Sequence, residues 1–350
     1  MTPFQNVSRL FKGGDMPITT IDSHTEGEST RLIVDGLGDI PGSTMMEKMA
    51  YFKTHYDSVR CLLTKEPRGS REILAAMVTK NVTPEAAFGL IYMDAKRYPY
   101  LCGHATIGAV VTLAQTGFLE LGEGENTLLI DTPSGIMEAR AFVVEGKVDS
   151  VAILMVPSFV LDTNRKILVE GFGQVSVDLV CTGGFFAMVD AVKLKIAPVM
   201  DNKDQLVRLG MKIIDAANEQ LEVVHPSRPD VNTVDVTEFY DSGVKDKVKN
   251  GKAQGCGMVI YGESHMDRSP CGTGTAAKLA LLHHYGKIKM HQPYLNFSPL
   301  GTCFEAELVK KIKIGPLDAL VSRIRGRAWV TGLHQFVLDK TDPFQQGYMA

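Results

Sequence analysis

A cysteine followed at once by glycine, at the head of a short apolar run, occurs twice in this chain, about half its length apart. The two copies are Cys102-Gly103-His104-Ala105-Thr106 and Cys271-Gly272-Thr273-Gly274-Thr275. Behind the first runs Ile107 to Ala114 and then Gly117; behind the second runs Ala276 to Leu282 and then Gly286. Each run is read as a helix closed by a glycine that can take the left-handed conformation its C-terminal end requires. The matched spacing predicts two structurally similar halves that face each other, each presenting one thiol at a helix start. A chain of 350 residues, 45% of them hydrophobic, is long enough for two cores. The halves are placed at residues 1–158 and 159–350, with a boundary near Pro157 to Thr163 and a final segment able to cross back to the first half.

Hydrophobic patterning fills in an α/β (α+β) chain. Pro17 to Asp22 and Thr30 to Val34 read as strands around a turn, Met45 to Tyr56 as a helix, and Val59 to Leu63 as a strand before the turn Glu66-Pro67-Arg68-Gly69. Further strands are expected at Ala86–Met93, Thr127–Asp131, Met137–Val144 and Ser150–Val156, with Thr132-Pro133-Ser134-Gly135 as a turn. The second half repeats the plan: strands at Val175–Val180 and Phe185–Val189, a helix at Asp204–Gln220, and strands at Asp235–Tyr240 and Gly257–Tyr261 that lead into the second cysteine motif.

The charge balance excludes some classes of partner. With 37 Lys+Arg against 40 Asp+Glu there is no general electrostatic case for nucleic acid or an anionic membrane, and a small-molecule substrate fits better. The longest apolar stretches, such as Val151 to Val156, are far too short to span a bilayer, and the N-terminal segment lacks the apolar core of a signal peptide. A cytoplasmic location is expected. The six cysteines show no spacing that suggests a disulfide framework, so reduced thiols are expected.

Helix starts expose unpaired N–H groups and partial positive charge. Each motif is therefore suited to bind an anion, and its field is expected to favour thiolate over thiol. Two such starts facing each other could hold one carboxylate with a sulfur on either side of the attached carbon. One thiolate would remove the Cα hydrogen while the opposing thiol donates from the other face, and the amides would stabilise charge spreading into the carboxylate. No electron-sink cofactor is then required. A zinc site using Cys102, His104 and Cys271 is the sharpest chemical rival, but it has no Cys-x-x-Cys pair and lacks a fourth ligand, so no metal is expected. A redox pair is weaker for the same lack of spacing. A protein that merely binds a small carboxylate needs the amides but not two acid–base thiols. His104 is read as contributing its backbone N–H and a packed ring rather than acid–base chemistry. Asp267 is suited either to cap the helix region or to face the ligand. Cys61, Cys181, Cys256 and Cys303 read as buried structural residues.

The stretch from Asp267 to Lys278, Asp-Arg-Ser-Pro-Cys-Gly-Thr-Gly-Thr-Ala-Ala-Lys, closely resembles the signature around the second catalytic cysteine of the proline racemase family. Cys102 to Gly108 resembles that family's first cysteine motif, and Asp22-Ser23-His24-Thr25-Glu26-Gly27-Glu28-Ser29-Thr30-Arg31 its N-terminal signature; Glu66 to Gly69 and Gly183 to Phe186 also fit. The resemblance implies the diaminopimelate epimerase fold: two similar domains, each a curved sheet around a central helix. It also implies catalysis without pyridoxal phosphate or metal, and a homodimer. By the same resemblance Cys102 and Cys271 are the catalytic bases. Gly103, His104, Gly272 and Thr273 hold the substrate carboxylate through backbone amides, and Asp267 accepts from the substrate's ring nitrogen. Cysteine at 271 argues against the trans-3-hydroxyproline dehydratase branch, which typically has threonine there. The neighbourhood of Cys102 departs from that of diaminopimelate epimerases.

Tyr261 falls where proline racemases place an apolar aromatic residue against the substrate ring; its hydroxyl could instead bond a 4-hydroxyl group, and simple packing is the alternative for it as for Pro99 and Tyr100. The implied activity is racemisation of proline, with 4-hydroxyproline epimerisation as the alternative and a non-catalytic imino-acid-binding protein as the rival of a different class. Tyr98-Pro99-Tyr100-Leu101 and Ser298-Pro299-Leu300-Gly301-Thr302 depart from the family's usual segments at those places.

Overall fold

The computed structural model describes residues 17–241, 248–249, 252–262, 264–339 and 341–349. In chain order the elements begin with β1 (Ile18–Thr25), β2 (Glu28–Asp35), α1 (Met45–His55), α2 (Asp57–Thr64), β3 (Leu74–Thr79), β4 (Phe88–Met93), α3 (Gly103–Gln115), β5 (Gly124–Thr132), β6 (Gly135–Val144) and β7 (Lys147–Leu154). There follow β8 (Ser158–Val169), β9 (Gly173–Thr182), β10 (Gly184–Asp190), α4 (Ala191–Leu194), α5 (Lys203–Gln220), β11 (Val234–Tyr240), β12 (Val248–Lys249), β13 (Lys252–Tyr261) and β14 (His265–Met266). The last elements are α6 (Gly272–His284), β15 (Tyr294–Phe297), β16 (Cys303–Ile314), β17 (Leu317–Gly326) and β18 (Ala328–Phe336). The chain divides into two compact units. One holds the chain up to Thr25, Ser29–Val151 and the chain from Arg327 onward; the other holds Glu26–Glu28 and Ala152–Gly326. The stretch 157–163, expected as a boundary, opens β8.

In the first unit β1 pairs antiparallel with β18 and also pairs with β2; β2–β3 and β4–β5 are parallel, β3–β4 and β5–β6 antiparallel. Along β6 the buried residues are Met137, Ala139, Ala141 and Val143, the period-2 alternation of a strand with one face on a core. Helix α3 packs against β1, β3 and β18, and every residue from His104 to Leu113 is buried, as a helix apolar all round must be. A second layer forms outside, where Met45, Met49 and Phe52 of α1 and Val59, Leu62 and Leu63 of α2 cover Ile33, Met77 and Ile91. Thr44 Oγ1 caps α1 by accepting from Glu47 N at 3.1 Å, while the Glu47 carboxylate accepts from Ser43 N at 2.8 Å.

The expected strand at Val59–Leu63 is helix α2 instead. A short apolar run does not show its own period, and here the flanking residues decide it. Asp57 stands in the first turn and pairs with Arg60 one turn on (2.7 Å), and Arg60 donates on to the carbonyls of Asp94 and Ala95 at 3.0 and 2.6 Å.

In the second unit the strands close on themselves. Pairing runs β16–β17–β8–β9–β10–β11–β13–β15 and back to β16, with only β10–β11 and β13–β15 parallel. Closure leaves this ring without open edges. Helix α6 touches β8, β9, β10, β16 and β17 and is buried continuously from Gly274 to Leu282, so it forms the unit's inner core. Helix α5 lies on the outer surface against β8, β10, β11 and β13, with Leu206, Leu209, Ile213 and Ala217 turned inward.

The two buried helices end alike. After α3, Gly117 (φ +75°) donates to Ala114 O and Phe118 to Leu113 O; after α6, Gly286 (φ +67°) donates to His283 O and Lys287 to Leu282 O. Both are Schellman closures, at the glycines the sequence marks. No helix among the described residues is long and apolar enough to cross a membrane.

Candidate active site

Cys102 and Cys271 stand as N-caps of α3 and α6, the paired arrangement the sequence predicts within each unit. A threonine four residues on anchors each turn. Thr106 donates to Cys102 O through its amide (3.0 Å) and hydroxyl (2.8 Å), and that hydroxyl lies 2.6 Å from Tyr92 OH. Thr275 donates to Cys271 O through its amide (2.9 Å) and to Pro270 O through its hydroxyl (3.0 Å). Gly103 and His104 form the first turn of α3, and Gly272 and Thr273 that of α6, the end of a helix whose backbone N–H groups suit an anion.

The two sulfurs differ in surroundings. Cys102 has extended backbone (φ −146°, ψ 111°) and is half-buried; its Sγ lies 3.3 Å from His104 Nδ1. The imidazole can therefore accept the S–H proton or, once protonated, donate to a thiolate. The His104 carbonyl accepts from Thr25 Oγ1 at 2.7 Å, and its buried ring packs against the Cys102 sulfur.

Cys271 is buried and has φ +57°, ψ 118°, a left-handed conformation unusual for a residue with a side chain. That conformation turns Sγ back over its own helix, where it accepts from Gly274 N at 3.3 Å and lies 3.4 Å from Thr273 Oγ1. Its amide donates to Ser269 Oγ (3.1 Å), and Ser269 donates to Asp267 Oδ1 through both hydroxyl (2.7 Å) and amide (2.9 Å). Asp267, buried, is thus the anchor of the turn that presents Cys271.

Burial above all, then the Asp267 and Glu238 carboxylates, push the Cys271 thiol well above its ordinary range; Thr273 and Gly274 pull the other way and lose. The expectation that the helix start would lower this thiol is therefore corrected for Cys271. The helix field and two weak donors do not offset removal from water beside two carboxylates. Burial likewise pushes the Cys181 and Cys303 thiols up to about 12, in keeping with structural roles, and all six cysteines are free thiols.

Tyr261 ends β13, half-buried, with its ring 4.7 Å from the His265 ring in an edge contact. Pro99 and Tyr100 precede Cys102; Tyr100 is exposed, and the neighbouring Tyr98 OH donates to Asp57 Oδ1 at 2.8 Å.

Sequence reasoning missed the residues that hold these groups. Glu28, from the N-terminal signature, belongs to the second unit, where its buried carboxylate accepts from Arg268 N (2.9 Å), Nε (3.2 Å) and Nη2 (3.1 Å) and lies 3.5 Å from His265 Nε2. Gly27, at φ +104°, passes so close that a Cβ there would stand 3.1 Å from Arg268 O. Glu26 O accepts from Thr302 Oγ1 at 2.6 Å, which ties the Ser298–Thr302 turn to the same segment. Within the first unit Asp22 instead pairs with Arg31 at 2.8 Å, and Arg31 also donates to Leu63 O and Arg68 O. The threonine four residues after each cysteine was a visible part of the repeat; Glu28 carried no signal beyond its place in the signature.

Residues 20–349 match the proline racemase family. The chain is 37% identical over 334 residues to a proline racemase of Clostridioides difficile, covering 95% of this chain and 98% of that one. It is 38% identical over 329 residues to a 4-hydroxyproline 2-epimerase of Streptosporangium roseum, covering 94% and 97%. Among solved structures it is similar to a hydroxyproline epimerase from Agrobacterium vitis with bound trans-4-hydroxy-L-proline, with a TM-score of 0.84, 29% identity, and 96% and 95% of the two chains covered. The fold is the α+β one that the sequence resemblance implies.

Proposed function

Because this chain belongs to the proline racemase family and is an isomerase of that family, we propose that it interconverts L- and D-proline by proton transfer between Cα and two cysteine sulfurs. The observation that carries the proposal is the repeated helix start, in which a cysteine sulfur stands at the N-cap of a buried helix twice, at Cys102 and at Cys271. Cys271, kept protonated by burial and Asp267, is the donor. Cys102, with His104 Nδ1 at 3.3 Å to receive its proton, is the base. The Cα–H proton passes to the Cys102 sulfur, the electron pair of that bond moves into the carboxylate, and the Cys271 proton forms the new Cα–H bond. The thiolate left at Cys271 is held by Gly274 N–H and Thr273 O–H, and the reverse reaction starts from that state. The amides of Gly103, His104, Gly272 and Thr273 bind the carboxylate and stabilise the charge that enters it. Asp267, already fixed through Ser269, accepts from the ring ammonium. Thiols and amides supply base, acid and charge stabilisation, so turnover is expected to survive chelation and to need no pyridoxal phosphate. The same reading includes a homodimer working in the cytoplasm.

A second reading, epimerisation of 4-hydroxyproline at C2, is favoured by the Tyr261 hydroxyl, a polar group where an apolar ring would suffice for proline. Rates on L-proline, D-proline and trans-4-hydroxy-L-proline measured side by side test the choice. Faster turnover of the hydroxylated substrate selects the second reading, and turnover of none of the three removes both.

A further inference from the structure

Beneath the first turn of α6 lies a charged pair that the proton transfer, as written, does not use. Glu238 on β11 and Lys278 on α6 have fully buried side chains, with Nζ 3.2 Å from Oε1. Lys278 Nζ also donates to Cys256 O (2.9 Å) and Asn296 Oδ1 (2.7 Å), and Asn296 Nδ2 donates to Pro270 O (3.0 Å) and Thr275 Oγ1 (2.7 Å). The lysine is thus tied to the residue before Cys271 and to the threonine that anchors its turn. Neither Glu238 oxygen is hydrogen-bonded within the described residues. Two glycines make room for the pair. A Cβ at Gly257 would stand 2.7 Å from both Glu238 Oε1 and Lys278 Nζ, and one at Gly274 would stand 2.8 Å from Glu238 Oε2. Gly274 is the residue whose N–H donates to the Cys271 sulfur.

A dry ion pair of this kind is often no more stabilising than apolar residues of the same volume, so its presence under a reactive sulfur calls for a chemical reason. We propose that Glu238 and Lys278 are positioning residues for Cys271. Through Gly274, Asn296 and Pro270 they hold the turn in which the sulfur receives its amide donor, and their opposed charges set how readily that sulfur gives up its proton. The proposal rests on the reading of Cys271 as an acid–base group.

Burial raises the Glu238 carboxyl to about 7 against the pull of Lys278, while Asp267 raises it further. Its negative charge is therefore present at the higher pH where Cys271 ionises, and it opposes that ionisation together with Asp267. The remaining neighbours are Thr273 and Gly274 on the sulfur, which favour thiolate, and Tyr294 on β15, whose phenol burial and Glu238 push up, with Cys256, Asp241 and Cys303 around it.

The test follows alkylation of Cys271 by iodoacetamide across pH in the full chain, read by mass spectrometry of the Cys271 peptide. Glu238→Gln leaves the lysine charge alone beneath the sulfur and should move the midpoint down by about one pH unit, about tenfold faster labelling at a fixed pH below it. Lys278→Met leaves the carboxylate and should move the midpoint up. Opposite shifts support the proposal, whereas superimposable curves or shifts in one direction overturn it. If Lys278→Met does not fold, Glu238→Asp carries the comparison: it should keep the parental midpoint while Glu238→Gln lowers it, and equal midpoints for these two overturn the proposal. Near-normal racemisation by Cys271→Ser would remove the catalytic reading alone, because the labelling shift does not depend on turnover.

Discussion

Glu28→Gln isolates the bond that fixes the Asp267–Cys271 turn. The Glu28 side chain is 2% exposed, and it takes three hydrogen bonds from Arg268, one from the backbone and two from the guanidinium. Glutamine keeps the volume and one acceptor oxygen but removes the charge and presents an NH2 group to the guanidinium donors. Breaking a buried ion pair from one side costs about 3–5 kcal/mol. The Arg268 side chain is 28% exposed and can recover part of its hydration, so the expected loss is about 2–3 kcal/mol. For a unit of this size that is a fall in Tm of roughly 5–10 °C. Because the one remaining oxygen serves the Arg268 backbone N–H without a full charge while the NH2 faces the guanidinium, the Ser269–Cys271 turn should shift as well, and kcat/KM should fall about tenfold or more while the fold persists. The control is Asp162→Asn, which breaks the exposed Asp162–Arg165 pair and should change stability by less than about 1 kcal/mol. Differential scanning calorimetry and steady-state kinetics at one pH suffice. A Glu28→Gln protein that melts and turns over like the Asp162→Asn control would refute the anchoring role of Glu28.

Gly27→Ala forces a Cβ into a φ of +104° and to 3.1 Å from Arg268 O, and should cost about 1–3 kcal/mol, read as a lowered Tm; an unchanged Tm would show that the segment relaxes freely. Asp267→Asn removes a charged partner of the ring ammonium, worth about 1.5–3 kcal/mol, so kcat/KM on proline should fall roughly 10- to 150-fold. The same change removes a negative charge that holds the Cys271 thiol up, so alkylation of Cys271 should begin at lower pH than in the parent; a shift to higher pH would contradict the electrostatics. Tyr261→Phe should lower kcat/KM on trans-4-hydroxy-L-proline about tenfold and leave proline unchanged if the hydroxyl reads a 4-hydroxyl group; equal effects on both substrates would reduce Tyr261 to packing.

The fold was legible where period and punctuation agreed. The thiol-headed helices could be read end to end, because each has a mostly apolar run, broken only by Thr112 in the first and Lys278 in the second, and a glycine where a left-handed residue is required. Helix α5 and strands β9, β10 and β11 were legible for similar reasons. Val59–Leu63 was misread because four apolar residues around Arg60 fit a buried helix as well as a strand, and the Asp57–Arg60 pair that settles it lies partly outside the run. The β16–β17 hairpin, closed by the local turn between Ile314 and Leu317, was not read, and the return of the last segment to the first unit, allowed for in the sequence, rests on the pairing of β18 with β1 at the far end of the chain. At the candidate site, the placing of the two cysteines and their glycines at helix starts was legible in sequence, and Asp267 was marked as a cap or ligand-facing residue. The His104 ring on Cys102, the Glu28 anchor and the Glu238–Lys278 pair were not, since each is created by a side-chain approach rather than by spacing. The protonation of Cys271 was misjudged because the helix start is visible in sequence and the depth of burial is not.

The central claim is that each of two sulfurs moves a proton at Cα, and deuterium incorporation into L- and D-proline by Cys102→Ser and Cys271→Ser tests it most directly. Each change keeps a similar shape but replaces a thiol with a far less acidic hydroxyl. With folding verified by thermal melting, each variant should lose racemisation in both directions. Any residual Cα exchange should be confined to one enantiomer in one variant and to the opposite enantiomer in the other. Near-normal racemisation by either folded variant would contradict the two-thiol reaction.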